Sequence, residues 1–87
     1  MLTGTTSTGF AYEIPEEQLD NMELLDALAE ADSGKLLAIS RVCDLLLGKE
    51  QKLRLYDHCR TEKGTVPTAS IRDEILDIIQ GQDNGKN

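Results

Sequence analysis

Lys35-Leu36-Leu37-Ala38-Ile39-Ser40-Arg41-Val42-Cys43-Asp44-Leu45-Leu46-Leu47 decides the fold class. At about 100° per residue, Leu36, Ile39, Val42, Cys43, Leu46 and Leu47, with Ala38 and Leu45 at the margin, cover more than half of a helical surface. A helix apolar over so much of its circumference has neighbours on several sides, so this segment predicts the central helix of a bundle. Leu37 falls on its polar side.

The flanking segments carry the same period. Gly48 is placed to end the central helix in a left-handed conformation, and Lys49 to Thr61 reads as a further helix, with Leu53, Leu55, Tyr56 and Cys59 as its apolar contacts. Glu62-Lys63-Gly64-Thr65 is a turn, and the next helix is expected from near Pro67 to Ser70 until about Gln80, with Ile71, Ile75, Ile78 and Ile79 on one side. Upstream, Pro15 suits a first helical position, and Glu16 and Glu17 suit a first turn, which predicts a helix from Pro15 to Asp32. Its apolar stripe is read as Leu19, Met22, Leu25, Leu28 and Ala29, with Leu24 left beside the acids Glu16, Asp20, Glu23 and Glu30. Phe10, Tyr12 and Ile14 alternate with Ala11 and Glu13 in the period of a strand, and this is the one strand visible. It is expected to pack as an extended arm or to pair with another chain. The expectation is therefore an all-α, small four-helix domain (residues 15–80) with an extended N-terminal arm (1–14) and a mobile C-terminal tail (81–87).

Charge is distributed unevenly. Residues 1–34 carry eight carboxylates and no Lys or Arg, whereas 35–63 carry seven bases against four acids, within a net charge of −7. Such asymmetry bears on association rather than on fold. A single domain of 87 residues with three aromatic side chains also builds only a modest, mainly aliphatic core. No run approaches the ~18 apolar residues of a membrane span, and the first residues lack the basic and apolar regions of a signal peptide, so a cytoplasmic setting without membrane contact is expected.

Few residues suggest chemistry. Adjacent helical positions point about 100° apart, so Asp57, His58 and Cys59 cannot converge on one metal or form a Cys–His nucleophile pair. Cys43 and Cys59 lack the spacing of a zinc site or disulfide scaffold and read as reduced thiols, largely buried. No Gly-rich phosphate loop is present, and no catalytic residue, metal or cofactor is expected. Lys49, Lys52, Arg60 and Lys63 share a side of their helix with Tyr56. The acidic balance and the lack of aromatic platforms weigh against nucleic acid as its partner. Asp32-Ser33 before the central helix is similar to the pantetheine-bearing serine of acyl carrier proteins, but Gly34-Lys35 follows where those carriers have Leu. Asp32 or Ser33 as a helix N-cap is the simpler reading.

Four strings, Thr8-Gly9-Phe10-Ala11-Tyr12-Glu13-Ile14, Asp20 to Ala31 (Asp-Asn-Met-Glu-Leu-Leu-Asp-Ala-Leu-Ala-Glu-Ala), Leu45-Leu46-Leu47-Gly48-Lys49-Glu50-Gln51 and Leu55-Tyr56-Asp57-His58, together resemble the small tail assembly chaperones of long-tailed (siphophage-type) bacteriophages and prophages, over about residues 8–79. The resemblance implies a helical, non-enzymatic protein of the host bacterial cytoplasm that binds the tape measure protein, with tail tube subunits as further candidate partners, during tail morphogenesis. An acyl-carrier-like protein modified at Ser33 and a small acidic phage regulator of nucleic-acid-binding proteins are the alternatives. Surplus apolar and charged positions, Leu24, Leu37, Glu16, Asp20, Glu23, Lys49, Lys52 and Arg60, are the candidate partner contacts. The reading also leaves room for a homo-oligomer.

Overall fold

The computed structural model describes residues 1–84. Two strands, β1 (Leu2–Thr5) and β2 (Ala11–Ile14), precede four helices, α1 (Glu16–Leu19), α2 (Met22–Asp32), α3 (Leu37–Cys59) and α4 (Thr68–Asn84). About 64 % helix accompanied by a two-stranded antiparallel sheet corrects the all-α expectation. The N-terminal segment is not an extended arm: β2 finds its partner within the chain, in the register Leu2↔Ile14, Thr3↔Glu13, Gly4↔Tyr12 and Thr5↔Ala11.

The hairpin closes through Ser7, Thr8 and Gly9, with Gly9 N–H donating to the Thr6 carbonyl (3.0 Å) and Thr6 N–H to that of Phe10 (2.9 Å). Gly9, at φ 96°, supplies the left-handed residue that such a three-residue connection requires. Phe10, Tyr12 and Ile14 point into the core, as their alternation predicted. Opposite Tyr12, a Cβ on Gly4 would lie within 2.7 Å of the Tyr12 ring carbon Cζ, so the missing side chain makes room for the aromatic ring.

The helix expected from Pro15 to Asp32 is broken at Asp20-Asn21. Pro15 is the N-cap of the short α1 rather than its first helical residue. Asn21 starts α2 afresh, its Oδ1 accepting from Glu23 N–H at 3.0 Å. Restarting the helix changes its phase, and α2 buries Leu24 and Ala27, with Leu28 and Ala31 packed beside them. Its C-terminus closes as a Schellman motif: Gly34 N–H reaches Ala31 O (3.2 Å), Lys35 N–H reaches Glu30 O (3.1 Å), and Gly34 takes φ 99°. Ser33 is thus the C-cap of α2, not an N-cap of the next helix.

α3 turns sharply at Gly48 (φ 79°, ψ 165°), so it forms two arms, close to the two helices expected on either side of that residue. Lys52 Nζ lies 2.9 Å from Ser40 Oγ and 3.1 Å from Asp44 Oδ1. In a straight helix Ser40 and Lys52 would be roughly 18 Å apart along the axis, beyond a lysine's reach, so the arms fold back toward each other. The first arm is the most buried element, with Ala38, Ile39, Val42, Cys43, Leu46 and Leu47 enclosed. Ile14, Leu46, Leu55 and Ile78 meet at the centre, one from the hairpin, one from each arm of α3 and one from α4. Leu36 and Leu53, expected as core contacts, are exposed instead. α4 continues past Gln80 to Asn84, four residues into the expected tail, whose remainder, residues 85–87, lies outside the described residues.

Candidate functional site

Two features of the surface are candidates. The first is polar and lies where the hairpin loop docks on α3 and α4. Gln51, Arg54 and His58 occupy one face of the second arm of α3. Gln51 Oε1 accepts from Glu13 N–H (2.8 Å) while its Nε2 donates to Glu13 O (2.7 Å) and to Leu47 O (2.8 Å), so one amide pairs with the outer edge of β2 and bonds a carbonyl at the kink. Arg54 donates to Ala11 O at 3.3 Å and lies 5.4 Å from the centre of the Phe10 ring, with the His58 ring 5.6 Å from that same ring. The Thr6 and Thr8 hydroxyls donate to the two oxygens of the buried Glu74 carboxylate, each at 2.8 Å, and Asp77 Oδ2 accepts from both Ser7 N–H and Ser7 Oγ.

A cleft of about 240 Å³ opens here, lined by Thr8, His58, Cys59, Ser70, Asp73 and Glu74. Its residue types suit nucleophilic catalysis, but its proton arrangement does not. Thr8 spends its proton on Glu74, so at 2.9 Å the His58 Nε2–H donates to Thr8 and has no lone pair there to activate the hydroxyl. Burial, followed by the Glu74 charge, raises the Cys59 thiol; burial pushes Cys43 up to about 11. Both are protonated at neutral pH and poor nucleophiles. Among the described residues, no group of three or more His, Cys, Asp or Glu side chains is placed to hold a metal. The cluster fastens the hairpin.

The second candidate is apolar. A groove of about 320 Å³ runs between the start of α3, its second arm and the start of α4, lined chiefly by Leu36, Leu37, Ile39, Tyr56, Val66 and Ile71. Leu37 is 93 % exposed. Burying a leucine contributes roughly 1.5–3 kcal/mol, nearly all of which the monomer forgoes at this position. Lys52 lies 5.7 Å from the centre of the Tyr56 ring on this side.

Of the eight expected partner contacts, Leu37 alone lines this groove. Leu24, 2 % exposed, belongs to the core and is not a surface contact; the strip that faces solvent in α2 is Met22 and Leu25, two residues of the apolar stripe expected in the core. Glu16 is exposed on α1, 3.7 Å from the N-terminal amine, Asp20 caps α1, and Glu23 lies in the first turn of α2. Lys49 is exposed just after the kink. Lys52 is held by Asp44, while Arg60 bonds to Asp57 Oδ1 (3.1 Å) and Gly64 O (2.9 Å), so the expected basic stripe is partly spent on local bonds. Ser33 also donates its hydroxyl to Glu30 O at 2.8 Å within the C-cap of α2, unlike the free serine at a helix start that a carrier protein presents. The groove residues beyond Leu37 escaped sequence reading because Leu36 was expected in the core and because Val66 and Ile71 reach the groove from the connection before α4 and from α4 itself.

No family model, curated protein or solved structure matches the chain. Among the described residues, no helix is long and apolar enough to cross a membrane.

Proposed function

We propose that this protein is a tail assembly chaperone of a long-tailed phage or prophage, acting in the host bacterial cytoplasm by covering an apolar helical stretch of the tape measure protein, with tail tube subunits as a second class of client. The observation that carries this reading is Leu37, almost fully exposed at the lip of an apolar groove that folding leaves unfilled. A groove of this kind suits an amphipathic helix whose anchors recur at i, i+3 and i+4. A tape measure protein is a long helical chain, and its apolar stripe needs cover until assembly. The four strings that resemble these chaperones supply the specific client; the groove supports only the mode of binding.

Binding, not chemistry, is the activity in this proposal. Leu37→Glu puts a charge on the groove lip without disturbing the core, so the variant should fold. Co-expression with the tape measure protein of the same phage tests the reading: the wild type should keep the client soluble and co-purify with it, and Leu37→Glu should recover less than about one-tenth as much, a loss of ~1.4 kcal/mol or more. Failure of the wild type to bind would reject the chaperone reading, and equal recovery with both would move the client off the groove.

A further inference from the structure

We infer that the groove at the start of α3 also takes a second copy of this chain, which inserts the outer strip of its α2. Both halves of the contact lie on the monomer surface. Met22 and Leu25, 67 % and 52 % exposed, stand with exposed Ala29 at i, i+3 and i+7 on α2, the spacing by which an amphipathic helix lies in a groove. About 320 Å³ is roughly twice the 150 Å³ that accommodates a benzene-sized group, which suits the pair of large side chains Met22 and Leu25.

Charge selects this occupant. Asp26, Glu30 and Glu23 lie around the helix to one side of the strip, whereas Lys35 precedes Leu36, and Arg41 stands one turn after Leu37. Residues 35–72 hold eight bases against four acids. Among the described residues the ion pairs are Met1–Glu16, Lys52–Asp44, Arg60–Asp57 and Arg72–Asp73, and none joins an acid of α2 to a base of α3. The monomer therefore leaves an acid-bordered apolar strip and a base-bordered apolar groove both uncovered. An 11-residue helix is only ~16 Å long and offers a small footprint, so a two-fold pair, in which each copy gives its strip and accepts the other's, is the arrangement that approaches a stable contact. The net charge of −7 on each copy opposes approach at long range, which makes charge exchange a sharper test than added salt.

Sedimentation equilibrium of the full chain from about 1 µM to 1 mM spans weak to moderate association. The wild type should dimerise reversibly. Leu37→Glu and Leu25→Glu, each checked for folding by circular dichroism, should each raise the dissociation constant at least about tenfold, with Leu37→Ser and Leu25→Ser replacing them where glutamate disturbs the fold. An equimolar mixture of the two variants should recover association, because one intact strip then meets one intact groove. Asp26→Lys/Glu30→Lys and Lys35→Glu/Arg41→Glu should likewise dissociate alone and associate when mixed. A wild type monomeric throughout, or a dimer indifferent to Leu25→Glu, would overturn the inference. Neither result touches the client reading, which co-purification tests separately.

Discussion

Gly48 shows how much one residue decides. Its φ of 79° with ψ of 165° lies in a region open essentially to glycine, and a Cβ built there meets nothing within 4 Å. Gly48→Ala should therefore cost about 1–3 kcal/mol through the backbone alone. Each kcal/mol corresponds to a fall of roughly 4–8 °C in Tm for a domain of this size, readable by thermal melting. A variant as stable as wild type would mean the corner can adopt another geometry. Leu24 and Leu25 make a second contrast between neighbours. Leu24→Ala should cost about 2–5 kcal/mol, as for other large-to-small core changes, while Leu25→Ala in dilute protein should stay within ~0.5 kcal/mol. Urea unfolding of the two variants checks it, and the reverse order would restore the continuous helix from Pro15. Reading one helix from Pro15 in phase with Leu19 put Met22 and Leu25 in the core and Leu24 outside it; α2 has apolar residues on two adjoining sides, and with the restart at Asn21 it buries the side of Leu24.

At the scale of elements, the hairpin depends on helices remote in sequence. Its loop is tied to α4 through Ser7–Asp77 and the Thr6 and Thr8 bonds to Glu74, and its outer edge to α3 through Gln51 and Arg54. The Ser7 N–H, then the Ser7 hydroxyl, holds the Asp77 carboxyl below its ordinary 3.8. The unfolded chain then binds this proton first, so the stabilisation is complete above 3.8 and is lost as pH falls through the lower folded value. Urea midpoints measured between about pH 2 and 6 should thus show the deficit of Asp77→Asn relative to wild type shrinking toward acid. Ser7→Ala, which keeps the N–H bond, should retain the larger part of the pH dependence. A deficit constant across that range would detach Asp77 from the docking of the loop. Strand β2 was legible because large residues alternate at Phe10, Tyr12 and Ile14. Strand β1 was not: Leu2 is its one large apolar residue, and the role of Gly4 is apparent only once Tyr12 lies across from it.

At the scale of the whole molecule, the eight carboxylates of residues 1–34 meet no matching set of bases among the described residues: Lys52 pairs with Asp44, Arg60 with Asp57, and Glu16 with the N-terminal amine. Self-repulsion should therefore outweigh exposed attractive pairs, which contribute at most about 1 kcal/mol each. Tm should rise between about 10 and 150 mM salt, over which the Debye length shrinks from ~30 to ~8 Å. A fall over that range would show that attractive pairs dominate.

What the sequence by itself determined was local: the first arm of α3 and the isoleucine face of α4 from their helical period, β2 from its alternation, and the turns at Gly48 and Gly64 from residues that tolerate left-handed backbone. Such signals suffice because helix period, strand alternation and turn chemistry act over a few residues. Only the tertiary structure decided that β2 pairs within the chain, that α2 buries Leu24 rather than Leu25, and that Leu36 and Leu37 join Tyr56, Val66 and Ile71 in a groove. Each of these depends on which surfaces meet across long separations in sequence, a matter of packing that the period of a single segment does not contain.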